Sequence, residues 1–252
     1  MKTVMITGGV RNTGRAIARK FAQEGWQVAI TSRDESAAIA AAIRLEQEFG
    51  VEARGYGMVM DDLESIRQTF AAVQRDFGTL DTFVANSAEL GVGVGVLGTD
   101  EQTYDRVVDV NMKGTFFCCQ YAAELMKEHG GSIVTMGSVQ GTGAVAGRTV
   151  YGMTKAAISL LVKSMAFELG QFGIRANNIV AGAIHSERWD VLTPEEMAVR
   201  RSKYPAGRES TEEEIANAVY FLGTEQSATI TGTDLTVDSG LSVCLLPYKK
   251  EN

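Results

Sequence analysis

Short runs of β-branched and other apolar residues alternate with segments of helical periodicity along almost the whole chain. Val4-Met5-Ile6-Thr7 leads into glycines, a helical pattern begins near Thr13, and a second apolar run covers 26–31. Strands that alternate with helices form a parallel sheet, whose right-handed crossovers place helices on both faces. The pattern therefore predicts an α/β fold built on a doubly wound parallel sheet.

Apolar runs and capping signals set the expected boundaries of these segments. The predicted strands cover 4–7, 26–31, 51–58, 80–84, 132–136, 174–180 and 234–237. The predicted helices start near Thr13, run from Asp34 or Ser36 to Phe49, and cover 63–77, 101–129 with an interruption, 150–172 and 211–222. The 252 residues include only three prolines and show no repeat or break in composition. We expect one domain over 1–252, with an irregular, partly helical lid over 183–210.

Charge and composition narrow the class of partner. A net charge of -7 and a pI near 5.0 argue against nucleic acid or an anionic membrane. No apolar run approaches the ~20 residues that span a bilayer, and the first residues do not resemble a signal peptide. Three cysteines without metal-ligand spacing and only two histidines predict no metal site and favour a reducing cytoplasm.

Tyr151 and Lys155 are the most informative pair on the predicted helix 150–172. Positions four apart are neighbours on a helix, so the two side chains point the same way. A free phenol has a pKa of about 10. A nearby ammonium favours the phenolate, and burial beside a cationic cofactor ring would shift the equilibrium further. The pair would then exchange protons near neutral pH. Taken alone, this spacing is more often that of a surface pair.

A glycine-rich turn, Thr7-Gly8-Gly9-Val10-Arg11-Asn12-Thr13-Gly14, separates the first predicted strand from the first helix. At such a turn, backbone N–H groups meet a pyrophosphate at the helix N-terminus, and Gly8 and Gly14 permit its close approach. An isolated motif of this kind also occurs without a ligand. Its place in a βαβ unit favours dinucleotide binding.

Together with Tyr151 and Lys155, this turn resembles that of the short-chain dehydrogenase/reductase family. Further matches follow in the family's order along nearly the whole chain: Ala85-Asn86-Ser87-Ala88, Asn111, Ser138, Asn177 to Ser186, and Val237-Asp238-Ser239-Gly240. The resemblance implies a Rossmann-type fold and a catalytic set of Asn111, Ser138, Tyr151 and Lys155.

The resemblance also implies a role for each member of that set. Tyr151 would pass a proton to or from the substrate oxygen, and Ser138 would hydrogen-bond the same oxygen. Lys155 would lower the pKa of Tyr151 and bind the nicotinamide ribose, while Asn111 would hold a water that connects Lys155 to solvent. Taken singly, Ser138 is equally explained as a turn cap and Asn111 as a helix-interrupting side chain.

Cofactor contacts are expected from Gly8, Arg11, Asn12, Thr13, Gly14, Ser32, Arg33, Asn86, Tyr151, Lys155, Ile184 and Ser186. Members that prefer NAD usually have an acidic residue at the end of the second strand, which bonds the ribose 2′-OH. Here Ser32 takes that place, and Arg11 and Arg33 suit a 2′-phosphate. The prediction is NADP(H) in preference to NAD(H), although both arginines would also suit a solvated loop edge.

Six positions depart from the family pattern, and two of them are Ala85 and Ala88 in the segment after the fourth predicted strand. Asn12 replaces the middle glycine of the turn, but asparagine adopts positive φ more readily than most residues. Thr13 replaces an isoleucine, and Val59 replaces an aspartate that bonds the adenine amine. Ala181 replaces a proline and makes its loop less rigid. These changes would weaken cofactor binding and leave the catalytic set intact.

Three segments are expected to surround the substrate: residues 88–98, 139–149 and 183–203. The first two are rich in glycine and small apolar residues, and the third carries aromatic residues among basic ones, including Arg188 and Arg200. A largely apolar pocket under a mobile lid follows, suited to a carbonyl on a mid-sized hydrophobic body, either neutral or with an acidic group. The basic residues are more typical of a solvated helix face.

The sequence thus predicts a carbonyl reductase, or alcohol dehydrogenase in reverse, for a small-molecule substrate such as a 3-oxoacyl thioester, a steroid or a sugar-derived ketone. The alternative is a catalytically weak NADPH-binding sensor or scaffold, which the changes at Asn12 and Val59 keep open. An apolar C-terminal segment, Leu241 to Tyr248, together with the family resemblance, predicts a homotetramer.

Overall fold

A computed structural model of the chain describes residues 1–93, 95–186 and 189–244. Its centre is one parallel sheet with the strand order β3-β2-β1-β4-β5-β6-β7. The strands are β1 (Thr3–Ile6), β2 (Gln27–Ser32), β3 (Ala53–Gly57), β4 (Thr82–Ala85), β5 (Gly131–Ser138), β6 (Ile174–Ala181) and β7 (Asp234–Val237). The predicted doubly wound fold class is confirmed, and the boundaries of β7 coincide with those predicted.

Helices connect consecutive strands and cover both faces of the sheet. They are α1 (Asn12–Gln23), α2 (Glu35–Phe49), α3 (Leu63–Phe77), α4 (Glu101–Val108), α5 (Thr115–Met126), α6 (Thr149–Leu169), α7 (Pro194–Arg201) and α8 (Glu212–Gly223). A π-helical turn, Asp109–Gly114, joins α4 to α5. The predicted interruption of the segment 101–129 is this turn.

Capping residues explain why several helices begin and end where they do. The Asp34 carboxylate accepts a hydrogen bond from the Ala37 N–H at the start of α2, which ends at Gly50 with φ +67°. Asp62 caps α3 in the same way. Thr211 and Glu214 form the predicted reciprocal capping box of α8. Local chemistry therefore sets these boundaries.

Alternating side chains of the strands fill two separate cores. Val4 and Ile6 of β1 are fully buried on the face covered by α1, α2 and α8. Met5 lies on the opposite face, in a core shared with α3, α5 and α6. A parallel sheet covered on both faces favours apolar residues along its central strands. All four residues of β1 are buried, and three of them, Val4, Met5 and Ile6, are apolar.

Strands are added toward one edge of the sheet from β1 to β3 and toward the other edge from β4 to β7. The order therefore reverses between β1 and β4, which are parallel, hydrogen-bonded neighbours. In open α/β sheets, ligands bind beyond the carboxyl ends of the strands at this point. The glycine-rich turn follows β1, and Asn86 follows β4. Ser138 ends β5 two strands away from β1, so these predicted site residues lie along the same edge of the sheet.

The predicted lid, residues 183–210, contains α7 and otherwise irregular backbone. Its two ends are joined by a β-bridge between Ile184 and Ser210. Within the described part of the chain, no helix is both long enough and apolar enough to cross a bilayer. The predictions that concern Val94, Arg188 and Leu245 to Tyr248 fall outside the described residues.

Candidate active site

Tyr151 and Lys155 lie on the first two turns of α6, where the four-residue spacing brings them together. The Lys155 ammonium nitrogen is 5.5 Å from the centre of the Tyr151 ring. Lys155 is only 4% exposed, and its Nζ donates a 2.6 Å hydrogen bond to the Met136 carbonyl oxygen on β5. Burial lowers the pKa of Lys155 to about 8. The ammonium is thus held between the helix and the sheet.

The electrostatics of Tyr151 differ from the expectation that Lys155 lowers its pKa. Burial of the phenol raises the pKa of Tyr151, and this effect exceeds the opposing effects of a hydrogen bond with Ser138 and of the Arg148 charge. A buried phenolate loses its hydration, which favours the neutral phenol. The expected net lowering of the pKa of Tyr151 is therefore not found in this structure, because burial of the phenol outweighs the effects that favour the phenolate.

Ser138 is the last residue of β5 and turns its side chain toward the start of α6. Its hydroxyl forms a hydrogen bond with Tyr151. The same hydroxyl oxygen accepts the Gln140 N–H at 3.2 Å and so caps a short 3₁₀ turn. The turn cap that the sequence offers for Ser138 is therefore present, and the implied hydrogen bond from this hydroxyl to the substrate oxygen stays a prediction.

Asn111 lies in the π-helical turn and is fully buried. Its Oδ1 accepts the Glu89 N–H at 2.7 Å, and its Nδ2 donates to the Glu89 carbonyl oxygen at 2.9 Å and to Thr154 Oγ1 at 3.2 Å. π-Helical turns often occur at functional sites. Here the side-chain amide joins the 88–98 loop to α6, and each of its polar atoms is engaged by protein. The water-holding role that the resemblance implies for Asn111 stays a prediction.

The glycine-rich turn has the backbone that the sequence predicted. Gly8 has φ +66° and Asn12 has φ +47°, so asparagine replaces glycine at a left-handed position. A Cβ on Gly14 would lie 2.1 Å from the Gly8 carbonyl oxygen. Only glycine can bring the start of α1 this close to the end of β1. Arg11, the N-cap residue of α1, makes no side-chain capping bond, so its side chain does not compete for the first N–H groups.

Asn86 holds this turn against the end of β4. Its Nδ2 donates to the Thr7 carbonyl oxygen at 3.0 Å and to the Gly8 carbonyl oxygen at 3.3 Å. The Thr7 hydroxyl in turn accepts the N–H groups of Asn86 and Ser87, each at 2.9 Å. The Asn86 side-chain amide therefore holds the backbone of the turn at Thr7 and Gly8 in place.

The predicted 2′-phosphate site lies where the glycine turn meets the end of β2. The Gly9 N–H donates to the Thr31 carbonyl oxygen at 3.2 Å, so the two segments are adjacent. Arg11 and Arg33 are exposed and form no ion pair with any residue in the described part of the chain. Ser32 Oγ accepts the Asp34 N–H. The glycine cradle and these two cations fit a phosphorylated dinucleotide. Thr13 is half-buried beside them.

The remaining predicted cofactor contacts, Ile184 and Ser186, lie at the base of the lid. Glu209, which is 3% exposed, accepts two hydrogen bonds from Arg201 and lies 2.7 Å from His185 Nδ1. The Arg201 hydrogen bonds, together with His185, lower the pKa of Glu209 to about 2. This ionic cluster closes the lid at its base. Sequence reasoning missed it because Glu209 has no motif around it.

Arg148 was also missed. It lies within 139–149, a segment that the sequence describes only as small and smooth. Its guanidinium carbon is 5.9 Å from the centre of the Tyr151 ring, and its Nη1 donates to the Leu90 carbonyl oxygen at 2.9 Å. A position three residues before Tyr151 on a helix is the one signal that could have identified it.

Comparison with known proteins gives consistent matches. A profile for enoyl-(acyl carrier protein) reductases matches residues 9–242. L-rhamnose 1-dehydrogenase (NAD(P)(+)) of Azotobacter vinelandii is 34% identical, over 97% of this chain and 98% of that protein. The 3-oxoacyl-[acyl-carrier-protein] reductase FabG of Staphylococcus aureus is 32% identical, over 95% of this chain and 98% of that protein.

A solved structure has the same fold. The crystal structure of a short-chain type dehydrogenase/reductase from Mycobacterium marinum superimposes with a TM-score of 0.87 at 28% sequence identity, covering 95% of each chain.

Proposed function

The chain belongs to the short-chain dehydrogenase/reductase family, and from this premise we propose that it transfers hydride between NADP(H) and a ketone or secondary alcohol. Its relatives are dehydrogenases and reductases that act on CH–OH groups, so the chain is an NAD(P)-dependent oxidoreductase of that class. The observation that carries the finer proposal is the grouping of Ser138, Tyr151 and Lys155 at the carboxyl end of β5.

In the proposed mechanism, Tyr151 exchanges a proton with the substrate oxygen. During ketone reduction the neutral phenol donates its proton as negative charge develops on that oxygen. The raised pKa of Tyr151 keeps the phenol protonated at neutral pH and so suits this direction. The Ser138 hydroxyl, which lies beside the phenol, donates its one proton to the same substrate oxygen and stabilises its charge. The nicotinamide supplies the hydride when it is bound.

Lys155 provides a buried positive charge close to the phenol. As the phenol gives up its proton, the ammonium stabilises the phenolate that remains. Its pKa of about 8 means that it can also release a proton near neutral pH. We assign Asn111 a positioning role, because its side chain connects the 88–98 loop to Thr154 on the same helix.

The preference for NADP(H) rests on Arg11 and Arg33. Two exposed guanidinium groups beside the glycine turn bind a 2′-phosphate through forked, charge-assisted hydrogen bonds. The nearby Asp34 carboxylate accepts bonds from Ser36 Oγ and the Ala37 N–H, so it is committed to capping α2. It is therefore less available to a ribose hydroxyl.

We further propose a homotetramer in a reducing, cytoplasmic compartment, built on one domain whose lid covers residues 183–210. Phe116 on α5 and Leu160 on α6 are 46% and 67% exposed, and an open apolar groove lies between the two helices. Exposed apolar patches of this kind usually mark interfaces. Cys118 and Cys119 are free, buried thiols. Light scattering tests the assembly, and a monomer would exclude it.

The activity is tested with purified protein, NADPH and a panel of ketones, followed at the nicotinamide absorbance. The proposal predicts turnover of at least one ketone and its loss in Tyr151→Phe. A protein that binds NADPH but turns over no ketone or alcohol would instead be a sensor or scaffold.

A further inference from the structure

A positive charge lies beside the phenol on the side of the glycine-rich 88–98 loop. Arg148 is the N-cap residue of α6, and its guanidinium is 5.9 Å from the Tyr151 ring centre. Its Nη1 is bonded to the Leu90 carbonyl oxygen in that loop. The guanidinium therefore bridges the gap between the phenol and a segment predicted to surround the substrate.

Most of the hydrogen-bonding capacity of Arg148 is unused. A guanidinium has five N–H donors, and the bond to Leu90 takes one of them. Among the residues that the structure describes, no carboxylate lies within ion-pair distance of this side chain. Arg148 is also only partly exposed. A half-buried cation with free, forked donors is the arrangement that binds a carboxylate bidentately.

Two arginines of the lid have partners of their own. Arg201 is bonded to Glu209 through two nitrogens. Arg200 stacks on Trp189, with its guanidinium carbon 4.6 Å from the ring centre. The chain as a whole carries a net charge of -7 and repels anions at long range. An acidic substrate would need a local cation, and Arg148 is the partly exposed one beside the phenol, since Lys155 is buried and bonded to the Met136 carbonyl oxygen.

A second polar atom points to a substrate richer in polar groups than a hydrocarbon ketone. Gln140 Oε1, two residues after Ser138, is buried and accepts no hydrogen bond from the described residues. A buried amide oxygen without a donor is costly, by about 1–3 kcal/mol. A hydroxyl of a bound substrate would supply that donor.

We infer that the substrate is an oxo acid, or the corresponding hydroxy acid, whose carboxylate is bound by Arg148 while Tyr151 and Ser138 bind the reacting oxygen. The inference rests on the proposed function and adds the substrate class. The acid group must lie within a few bonds of the carbonyl, because Arg148 and Tyr151 are neighbours on the same helical turn. A neutral ketone of the same shape lacks the charge that Arg148 recognises.

The competing explanation is structural: Arg148 would only hold the 88–98 loop to α6 through Leu90. The two roles differ in what they predict for matched substrates. If Arg148 only holds the loop, its substitution changes kcat/KM for acids and for neutral compounds by the same factor. If Arg148 binds the carboxylate, its substitution changes the ratio of kcat/KM between acid and neutral compound.

The test uses 2-oxo and 3-oxo acids of short chain, with and without neighbouring hydroxyl groups, each paired with its neutral methyl ester. The kcat/KM of each is measured with saturating NADPH. For the best pair we expect the wild type to favour the acid by about 10- to 100-fold, the range of a charged hydrogen bond. In Arg148→Gln, which keeps amide donors for Leu90, that ratio should fall toward one, mainly through KM of the acid.

Two further variants complete the series. Arg148→Lys keeps the charge but not the fork, and should retain part of the preference. Lys163→Gln removes an exposed positive charge elsewhere on α6 and controls for the change in net charge. It should leave the acid-to-ester ratio at the wild-type value.

A pH profile tests separately whether the charge of Arg148 acts on Tyr151. The charge of Arg148 lowers the pKa of Tyr151, so Arg148→Gln should shift the rising limb for oxidation of a neutral alcohol to higher pH. Lys155 and the Ser138 hydroxyl also face the phenol and are unchanged in this variant. Lys163→Gln should not shift the limb.

Three outcomes overturn the inference: no preference for any acid in the wild type, a preference that survives in Arg148→Gln, or an equal loss for acid and ester. In each of these cases turnover of neutral ketones leaves the proposed function standing. Absence of turnover with every acid, every ester and every ketone of the panel overturns the proposed function itself.

Discussion

Lys155 Nζ donates a 2.6 Å hydrogen bond to the Met136 carbonyl oxygen and so connects the second turn of α6 to β5. Met136 lies two residues before Ser138 in β5. The bond therefore holds the buried ammonium at the edge of the sheet where the phenol lies. The lysine is thus positioned by the sheet, and its distance from the phenol follows from the packing of helix on strand.

Replacing this ammonium by an apolar side chain should stabilise the fold while impairing the reaction. Because burial lowers the pKa of Lys155 from 10.5 to about 8, the charged form costs stability at neutral pH, and that cost disappears as pH rises from about 8 to 10.5. Lys155→Met should raise Tm by a few degrees at about pH 7 and lower kcat by about 10²-fold or more. Calorimetry and steady-state kinetics measure the two effects.

The exposed Lys163→Met on the same helix is the matched control, with little change in either quantity. A Lys155→Met variant that is less stable than the wild type at neutral pH would show that the Met136 bond outweighs the cost of burial.

The Asn111 side chain should contribute more to stability than to proton transfer. Asn111→Ala removes three buried hydrogen bonds and leaves the Glu89 N–H without its acceptor. The expected loss is about 2–4 kcal/mol in the free energy of unfolding, measured by urea titration. Wild-type stability combined with abolished turnover would contradict this and support a water-holding role for the amide.

Local patterns predicted much of the fold, and the reasons are visible at particular residues. Asp62 and Gly78 enclose α3, whose boundaries match the prediction, because a side-chain cap and a helix-ending glycine are local signals. An interruption within 101–129 was expected, but neither its place after Val108 nor its π-helical form was predicted. In this turn Gly114 lies against the Met60 carbonyl oxygen, a contact across the fold that no local pattern encodes.

Cofactor preference should depend on Arg33. Arg33→Ala removes charge-assisted bonds to a 2′-phosphate and should raise KM for NADPH by about 10- to 100-fold, with little effect on KM for NADH. Arg44→Ala, on the exposed side of α2, is the control for net charge. A larger effect with NADH than with NADPH would show that the NADP(H) assignment is wrong.

Glu209→Gln should weaken the contacts of Arg201 and His185 at the base of the lid. It should also remove part of the pH dependence of the protein's stability. Arg201 and His185 lower the pKa of Glu209 from 4.5 to about 2, so its stabilising effect is present above pH 4.5 and lost as pH falls toward 2. The hydrogen bond with Glu209 raises the pKa of His185 above 6.5, so that contribution is complete below pH 6.5 and lost as pH rises through the raised value.

The difference in the free energy of unfolding between wild type and Glu209→Gln should therefore be largest between these limits, at about pH 5.5, and amount to about 1–3 kcal/mol. Calorimetry across pH measures it. A difference that does not vary with pH would mean that the cluster contributes by packing alone.

The site was less predictable than the fold because its electrostatics depend on burial. Spacing alone identified Tyr151 and Lys155 as neighbours. It did not reveal that desolvation raises the pKa of the phenol, since that requires knowing how β5 covers it. Arg148 escaped notice because a single arginine before a helix forms no pattern, and its contact with Leu90 spans 58 positions of the chain.

The most direct test of the account is single-turnover hydride transfer in Tyr151→Phe with NADPH and the best ketone. The account predicts that the variant folds and still binds NADPH by fluorescence, while the rate of transfer falls by about 10²- to 10⁴-fold, the contribution of a general acid. A variant that transfers hydride at close to the wild-type rate would show that another group supplies the proton, and would contradict the central role of Tyr151.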